Sequence, residues 1–168
     1  EAAQVIAQGL TQLPGDFELR MAEAGRLELG GQHEAAIAAY EALLEQQPNS
    51  LLVVNNLASL LSEQRLDQAS LQKAYALAQR LRHSPLAHFR DTLGWAAHRL
   101  GKTEESTALL ETVVKQSPDN ATFRYHLAMS LLAANKKPEA RRELESALAL
   151  TQGEGPEARR AQAALNTL

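Results

Sequence analysis

Residues 91–118 read DTLGWAAHRLGKTEESTALLETVVKQSP and carry a pattern that the rest of the chain repeats. With Pro118 counted as position 32 of a unit, Leu93 and Gly94 fall at 7 and 8, Ser106 at 20, Leu110 at 24 and Val113 at 27. Small side chains at 8 and 20 let two helices approach closely, while 24 and 27 bury against the next pair. Outward from this stretch, Pro14, Pro48, Pro85 and Pro118 are spaced by 34, 37 and 33 residues. A period near ~34 residues marks a stacked array of helix-turn-helix units, none of which can bury its apolar face alone.

The other units keep the register. Counting back from Pro48 puts Ala24, Leu27, Ala36, Tyr40 and Leu43 at 8, 11, 20, 24 and 27, with Glu23 a misfit at 7, where Leu is expected. The fourth unit supplies Leu127, Ala128, Leu131, Ala140, Leu144 and Ala147 at the matching places. The second has Leu57, Ala58 and Leu61, then about three extra residues around Arg65 to Gln72, which the reading places between its helices. Counting back from Pro14 gives Ala2, Ile6 and Gly9 at 20, 24 and 27, the second helix of an earlier unit.

The expected organisation is therefore a single domain. Residues 1–14 form the second helix of an upstream repeat, repeats follow at 15–48, 49–85, 86–118 and 119–151, and a capping helix occupies 156–167. In that last helix Glu157, Arg159, Arg160 and Gln162 face outward, and Ala161, Ala164 and Leu165 inward. Because Glu1 falls in mid-helix pattern, the chain reads as a piece of a longer array. Gly30-Gly31, Gly101 and Asn135 sit where a first helix must end in a left-handed residue. Pro138 and Pro156 suit the first turn of a helix, where a missing N–H costs nothing. Asn49-Ser50 and Asp119-Asn120 follow their prolines as N-caps. Roughly four-fifths of the chain is expected to be helical, with no strands.

Composition narrows the function classes. Hydrophobic residues make up 45 % of the 168 but aromatics only 4 %, which suits closely packed Ala- and Leu-rich helices. The net charge of −3 comes with dispersed Lys and Arg, so no basic stripe points to nucleic acid. The absence of cysteine removes thiolate metal sites and cysteine nucleophiles. No apolar run approaches the ~20 residues of a membrane span.

The chain resembles the tetratricopeptide repeat family along essentially its whole length. The strings Asn55-Asn56-Leu57-Ala58, Asp91-Thr92-Leu93-Gly94-Trp95 and Tyr125-His126-Leu127-Ala128 are also similar to bacterial repeat proteins, often lipoproteins, found with exopolysaccharide and PEP-CTERM sorting systems. That narrower resemblance implies the periplasm; the residues themselves leave cytoplasm and periplasm open. The family resemblance implies an all-α, right-handed superhelix whose concave groove is lined by first helices at repeat positions 2, 5, 9 and 12. Here these are Glu18, Met21, Gly25 and Glu28; Leu52, Asn55, Ser59 and Ser62; His88, Asp91, Trp95 and His98; and Thr122, Tyr125, Met129 and Leu132.

From these the candidate partner-binding groove is Asn55, Ser59, His88, Asp91, Trp95, His98, Tyr125 and Met129. Asp91, Trp95 and His98 share one helical face. Trp95 has two readings: an aromatic anchor for a peptide, or a ring packed under the neighbouring first helix. Some family members clamp C-terminal carboxylates with Lys, Arg and Asn. This chain has no Lys or Arg at positions 5 and 9, and Asp91 would repel a carboxylate.

Other chemistry is weaker. Gly101-Lys102-Thr103 lacks the glycine spacing and leading strand of a phosphate loop. The five histidines offer no His-Glu-x-x-His string, and the reading places His126 near the surface and treats the set as solvated. Glu104-Glu105 favour a helix N-terminus, and Glu139, Arg142, Glu143 and Glu145 a solvated face. Nothing pairs a nucleophile with an oriented base. The expectation is a protein-interaction scaffold with no enzyme activity and no cofactor, binding a protein or peptide in its groove. The alternative is an architectural spacer that self-associates through exposed end helices.

Overall fold

The computed structural model describes residues 2–168. Among them are ten α-helices and no strand: α1 (Ala2–Gln12), α2 (Phe17–Leu29), α3 (His33–Gln46), α4 (Leu51–Gln64), α5 (Gln68–Ala78), α6 (Ala87–Arg99), α7 (Thr103–Gln116), α8 (Ala121–Ala133), α9 (Lys137–Leu150) and α10 (Gly155–Leu165). Of the described residues 78 % are helical. Each helix packs on the next in the chain, and α4, α6, α8 and α10 also pack on one another in succession. That second set of contacts joins α4, α6, α8 and α10 into a continuous face of an all-α superhelix, which α2 reaches through α3.

Local chemistry sets the helix ends. Asp16, Ser50 and Asn120 cap α2, α4 and α8 by accepting the N–H three residues on, and Asp67 does the same for α5. At the other end, Gly31, Gly101 and Asn135 turn with φ of 71°, 79° and 58°. In each case the following N–H returns to the helix: Gln32 to the Leu27 carbonyl, Lys102 to Ala97 and Lys136 to Leu131, all at 2.9 Å. This is the double-bonded left-handed stop that satisfies two orphan carbonyls.

The second unit ends its first helix differently. Arg65 is extended, with φ −106° and ψ 146°, and Asp67 then starts the next helix. Its extra length is not confined to the turn between helices. Relative to the other units α5 begins one residue late and α6 one residue later again, where α5 tightens into a 3-10 turn at Gln79–Leu81. Gln68 to Gln72 lie within α5 itself.

Close approach at the small positions is literal. A Cβ on Gly94 would stand 2.7 Å from Leu110 Cγ, and the Ser106 hydroxyl donates to the Gly94 carbonyl at 2.8 Å. Ala24, Ala36, Ala58, Ala128 and Ala140 are fully buried, as are Leu110, Val113 and Leu144. Glu23, the misfit at position 7, stays partly exposed and pairs with Arg26 at 2.6 Å on its own helix. Between units, side chains near the ends of second helices reach back to the preceding proline turn. Gln46 donates to the Gly15 carbonyl and Gln116 to the Pro85 carbonyl, both at 3.0 Å, and Arg80 bonds the Pro48 carbonyl.

Candidate functional site

The concave face is built one helix at a time. On α4, Asn55, Ser59 and Glu63 recur every fourth residue and so form a stripe. On α6, His88 and Asp91 face the same side, and α8 adds Thr122 and His126, whereas Trp95, His98, Tyr125 and Met129 do not line the pocket. Together with Glu28 of α2 and Arg160 of α10, these helices enclose a concave pocket of about 350 Å³. Asn55, Ser59, His88 and Asp91 all line it. His88 is exposed, and Asn55 and Ser59 are partly so. The Thr92 hydroxyl ties α6 to α4, lying 2.8 Å from the Asn55 side-chain Oδ1 and 3.1 Å from the His88 main-chain carbonyl of its own helix.

Trp95 and His98 take a different place. Trp95 is only 7 % exposed. Its ring is stacked between His98, with centroids 4.9 Å apart, and His126, 4.2 Å away, and Tyr125 stands tilted at 6.2 Å. Of its two sequence readings, the ring occupies the packed one. Arg99 closes a further side, its guanidinium 5.9 Å from the Trp95 ring centre while it bonds the carbonyls of Ser62 in α4 and of Arg65 just beyond it. Tyr125 and Met129 are partly buried.

His126 corrects the expectation of a surface histidine. It is 5 % exposed, and its Nδ1 lies 2.9 and 3.0 Å from the two Asp91 carboxylate oxygens. Its Nε2 has no hydrogen-bond partner, the nearest acid being Glu63 at 3.7 Å. Glu63 in turn is 3.5 Å from Arg160 of α10. Burial by itself would lower the His126 pKa, but Asp91 and then Glu63 overcome it and raise the value to about 9. His98 shows the opposite outcome: burial, then the charge of His126 and Arg99, lowers it to about 4. Glu63 resists the upward push of burial because His126, Arg160 and Arg99 hold its carboxyl below the usual range. The Asp91 charge is thus met by an imidazolium and is not the free repulsive charge read from sequence.

Glu63 and Arg160 are not among the residues that the sequence nominates. Glu63 is signalled by the four-residue stripe continuing past Ser59. Arg160 carries no such signal, because its relevance depends on α10 standing where a further first helix would stand. Among the described residues no cluster of three or more His, Cys, Asp or Glu is arranged to hold a metal ion. No described helix is long and apolar enough to cross a membrane.

Comparison with known proteins agrees with this architecture. Tetratricopeptide repeat models match residues 97–165 and 18–50. No curated protein matches the chain. Among solved structures, it is similar to a thermophilic tetratricopeptide repeat protein of Thermus thermophilus, at 20 % identity over 98 % of this chain and 89 % of that one, with TM-score 0.76. It is similar also to a MamA segment (41-end) from Desulfovibrio magneticus RS-1, at 14 % identity over 90 % and 84 % of the two chains, TM-score 0.71. The third is PilF of Pseudomonas aeruginosa, at 18 % identity over 96 % and 72 %, TM-score 0.68. At such identities the structural likeness speaks for the fold alone. Repeats of this kind are generally non-catalytic scaffolds for protein interaction. With both matches falling on the helix pairs described above, the chain belongs to the tetratricopeptide repeat family.

Proposed function

We propose that the concave pocket is the partner-binding surface, and that its ligand is a peptide segment or helix of another protein. The observation that carries this reading is the pocket itself: about 350 Å³, lined by five successive first-helix positions, with polar side chains converging on it. Asn55, Ser59 and His88 form its accessible wall, Asp91 and His126 its floor, and Thr122 and Arg160 its far side. Nothing among these groups pairs a nucleophile with a base, so the reading is binding without catalysis.

The test is capture from a bacterial lysate with the wild-type chain and with an Asn55→Ala, His88→Ala double variant. A partner retained by wild type and lost by the variant, at unchanged helicity, supports the groove. Equal capture by both removes it. The variant avoids Trp95, whose truncation would damage the fold.

A second reading, self-association, has one observation in its favour. Val5 of α1 and Leu13 just beyond it are 61 % and 58 % exposed. Sedimentation over a concentration series, with a Val5→Glu variant, separates the two: a dimer abolished by Val5→Glu favours an architectural role.

A further inference from the structure

We propose that Asp91, His126, Glu63 and Arg160 form an electrostatic clasp across the concave face, and that opening it uncovers Trp95 as a hidden part of the groove. This rests on the groove reading for its purpose, but not for its existence. The four groups come from four different places: Glu63 from α4, Asp91 from α6, His126 from α8 and Arg160 from α10. They alternate in charge, carboxylate, imidazolium, carboxylate and guanidinium, at 2.9, 3.7 and 3.5 Å. Helices α4 and α8 lie on either side of α6, so the Glu63–His126 contact spans the helix that carries Trp95.

The clasp is unevenly tight. The Asp91–His126 end is buried, with side chains 9 % and 6 % exposed, and is hydrogen-bonded. The Glu63–Arg160 end is looser: Arg160 is 47 % exposed and no hydrogen bond is made. His126 Nε2 therefore holds Glu63 through charge alone, although it is buried and has a proton to donate. Exposed pairs contribute little by themselves, so the imidazolium in the middle is the member on which the others depend. Neutral His126 would leave the Asp91 and Glu63 carboxylates facing each other across one ring. Beyond the four clasp members, His98 and Arg99 of α6 stand against Trp95, Tyr125 neighbours the ring on its own helix, and His88 of α6 lines the same pocket. Burial next to the His126 charge keeps His98 neutral at pH 7, so only Arg99 and Arg160 add positive charge there.

The ring of His126 stacks on Trp95, so opening the clasp removes the cover from one indole face. Trp95 Nε1 is buried without a hydrogen-bond partner. An opened groove would therefore offer an aromatic face and an unused donor together, chemistry suited to an apolar side chain carried beside a main-chain carbonyl.

Trp95 is the chain's single tryptophan, so its fluorescence reads the clasp directly. Acrylamide quenching with selective indole excitation would be compared at neutral pH and at a pH above the His126 value of about 9. The samples are wild type, Glu63→Gln, Arg160→Ala and His126→Gln, each with circular dichroism. The expected result is a shielded indole in neutral wild type and a several-fold rise in quenching at the alkaline pH with helicity kept. At neutral pH the Glu63→Gln and Arg160→Ala chains should already be more accessible than wild type. Quenching that is unchanged by pH and by both outer variants overturns the proposal. So does a rise that follows loss of helicity, because the indole would then be uncovered by unfolding. If His126→Gln fails to fold, the two outer variants decide alone. None of these readings involves a partner, so failure here leaves the groove to be judged by its own capture experiment.

Discussion

The two halves of the concave face solve the same packing problem with different chemistry. Around α2 and α4 the face is held by neutral or singly charged hydrogen bonds: Tyr40 donates to Glu28 at 2.9 Å, and Asn56 to the Tyr40 oxygen at 3.4 Å. Around α6 and α8 it is held by a buried ion pair and a three-ring stack. The glycines at position 8 or near it show the same contrast. A Cβ on Gly25 would come no closer than 3.9 Å to Tyr40, whereas one on Gly94 would strike Leu110. The helix packing behind the first half thus has room to spare, and that behind the second has none.

The sharpest way to break this contrast is to remove its centre. Trp95→Ala should cost about 3–5 kcal/mol, the usual toll of truncating a buried large aromatic, measured by urea unfolding. A cost below ~1 kcal/mol would mean that the ring stack is loose and that the halves do not differ. Next in size, Gly94→Ala should destabilise by about 1–3 kcal/mol through overpacking against Leu110. Its counterpart Gly25→Ala should stabilise by up to about 1 kcal/mol, since the site has room and alanine is the better helix former. Opposite signs for these two glycines would confirm the division; equal signs would erase it.

The two histidines flanking Trp95 give a further test. His126, raised to about 9 in the fold, adds stability that is complete below its unfolded value near 6.5 and is lost as pH rises through 9. His98, lowered to about 4, works the other way: its contribution is present above 6.5 and is lost as pH falls toward 4. Each group can impose a slope of up to about 1.4 kcal/mol per pH unit within its own window. Their sum is a stability maximum near pH 6.5. In His126→Gln the alkaline limb should disappear while the acid limb stays. A pH profile that is the same in that variant would sink the ionic account of the second half.

How far the sequence can be read depends on how local each cause is. The left-handed stops at Gly31, Gly101 and Asn135, the caps at Ser50 and Asn120 and the small pair Gly94–Ser106 are short-range chemistry repeated in register, and all are visible in it. The pocket residues Asn55, Ser59, His88 and Asp91 are reachable because the family resemblance implies which repeat positions face the groove and the register places them on this chain. His126 is misplaced by that register because its burial depends on carboxylates 35 and 63 residues earlier, and no period in the chain links it to Glu63. The second unit's added length reads as one turn because both possible sites lie between apolar landmarks. Only the backbone shows it divided between Arg65–Asp67 and the 3-10 turn.

The reach-back bonds from Gln46, Arg80 and Gln116 to the preceding proline turns have a consequence for how the array comes apart. Each bond fastens the end of a unit to the turn at which that unit joins the one before it, so opening one unit loosens the shared turn as well. The corresponding position near the end of α9 is Leu150, which is exposed and has no side-chain donor. The last helix pair lacks the fastening that the earlier ones have. Amide exchange at this end of the stack should therefore run as a front, faster in α9 and α10 than where Gln46 and Gln116 bracket the middle. A single Leu150→Gln change, placing a donor at the position that Gln46 and Gln116 hold in their units, should slow that front at its starting end.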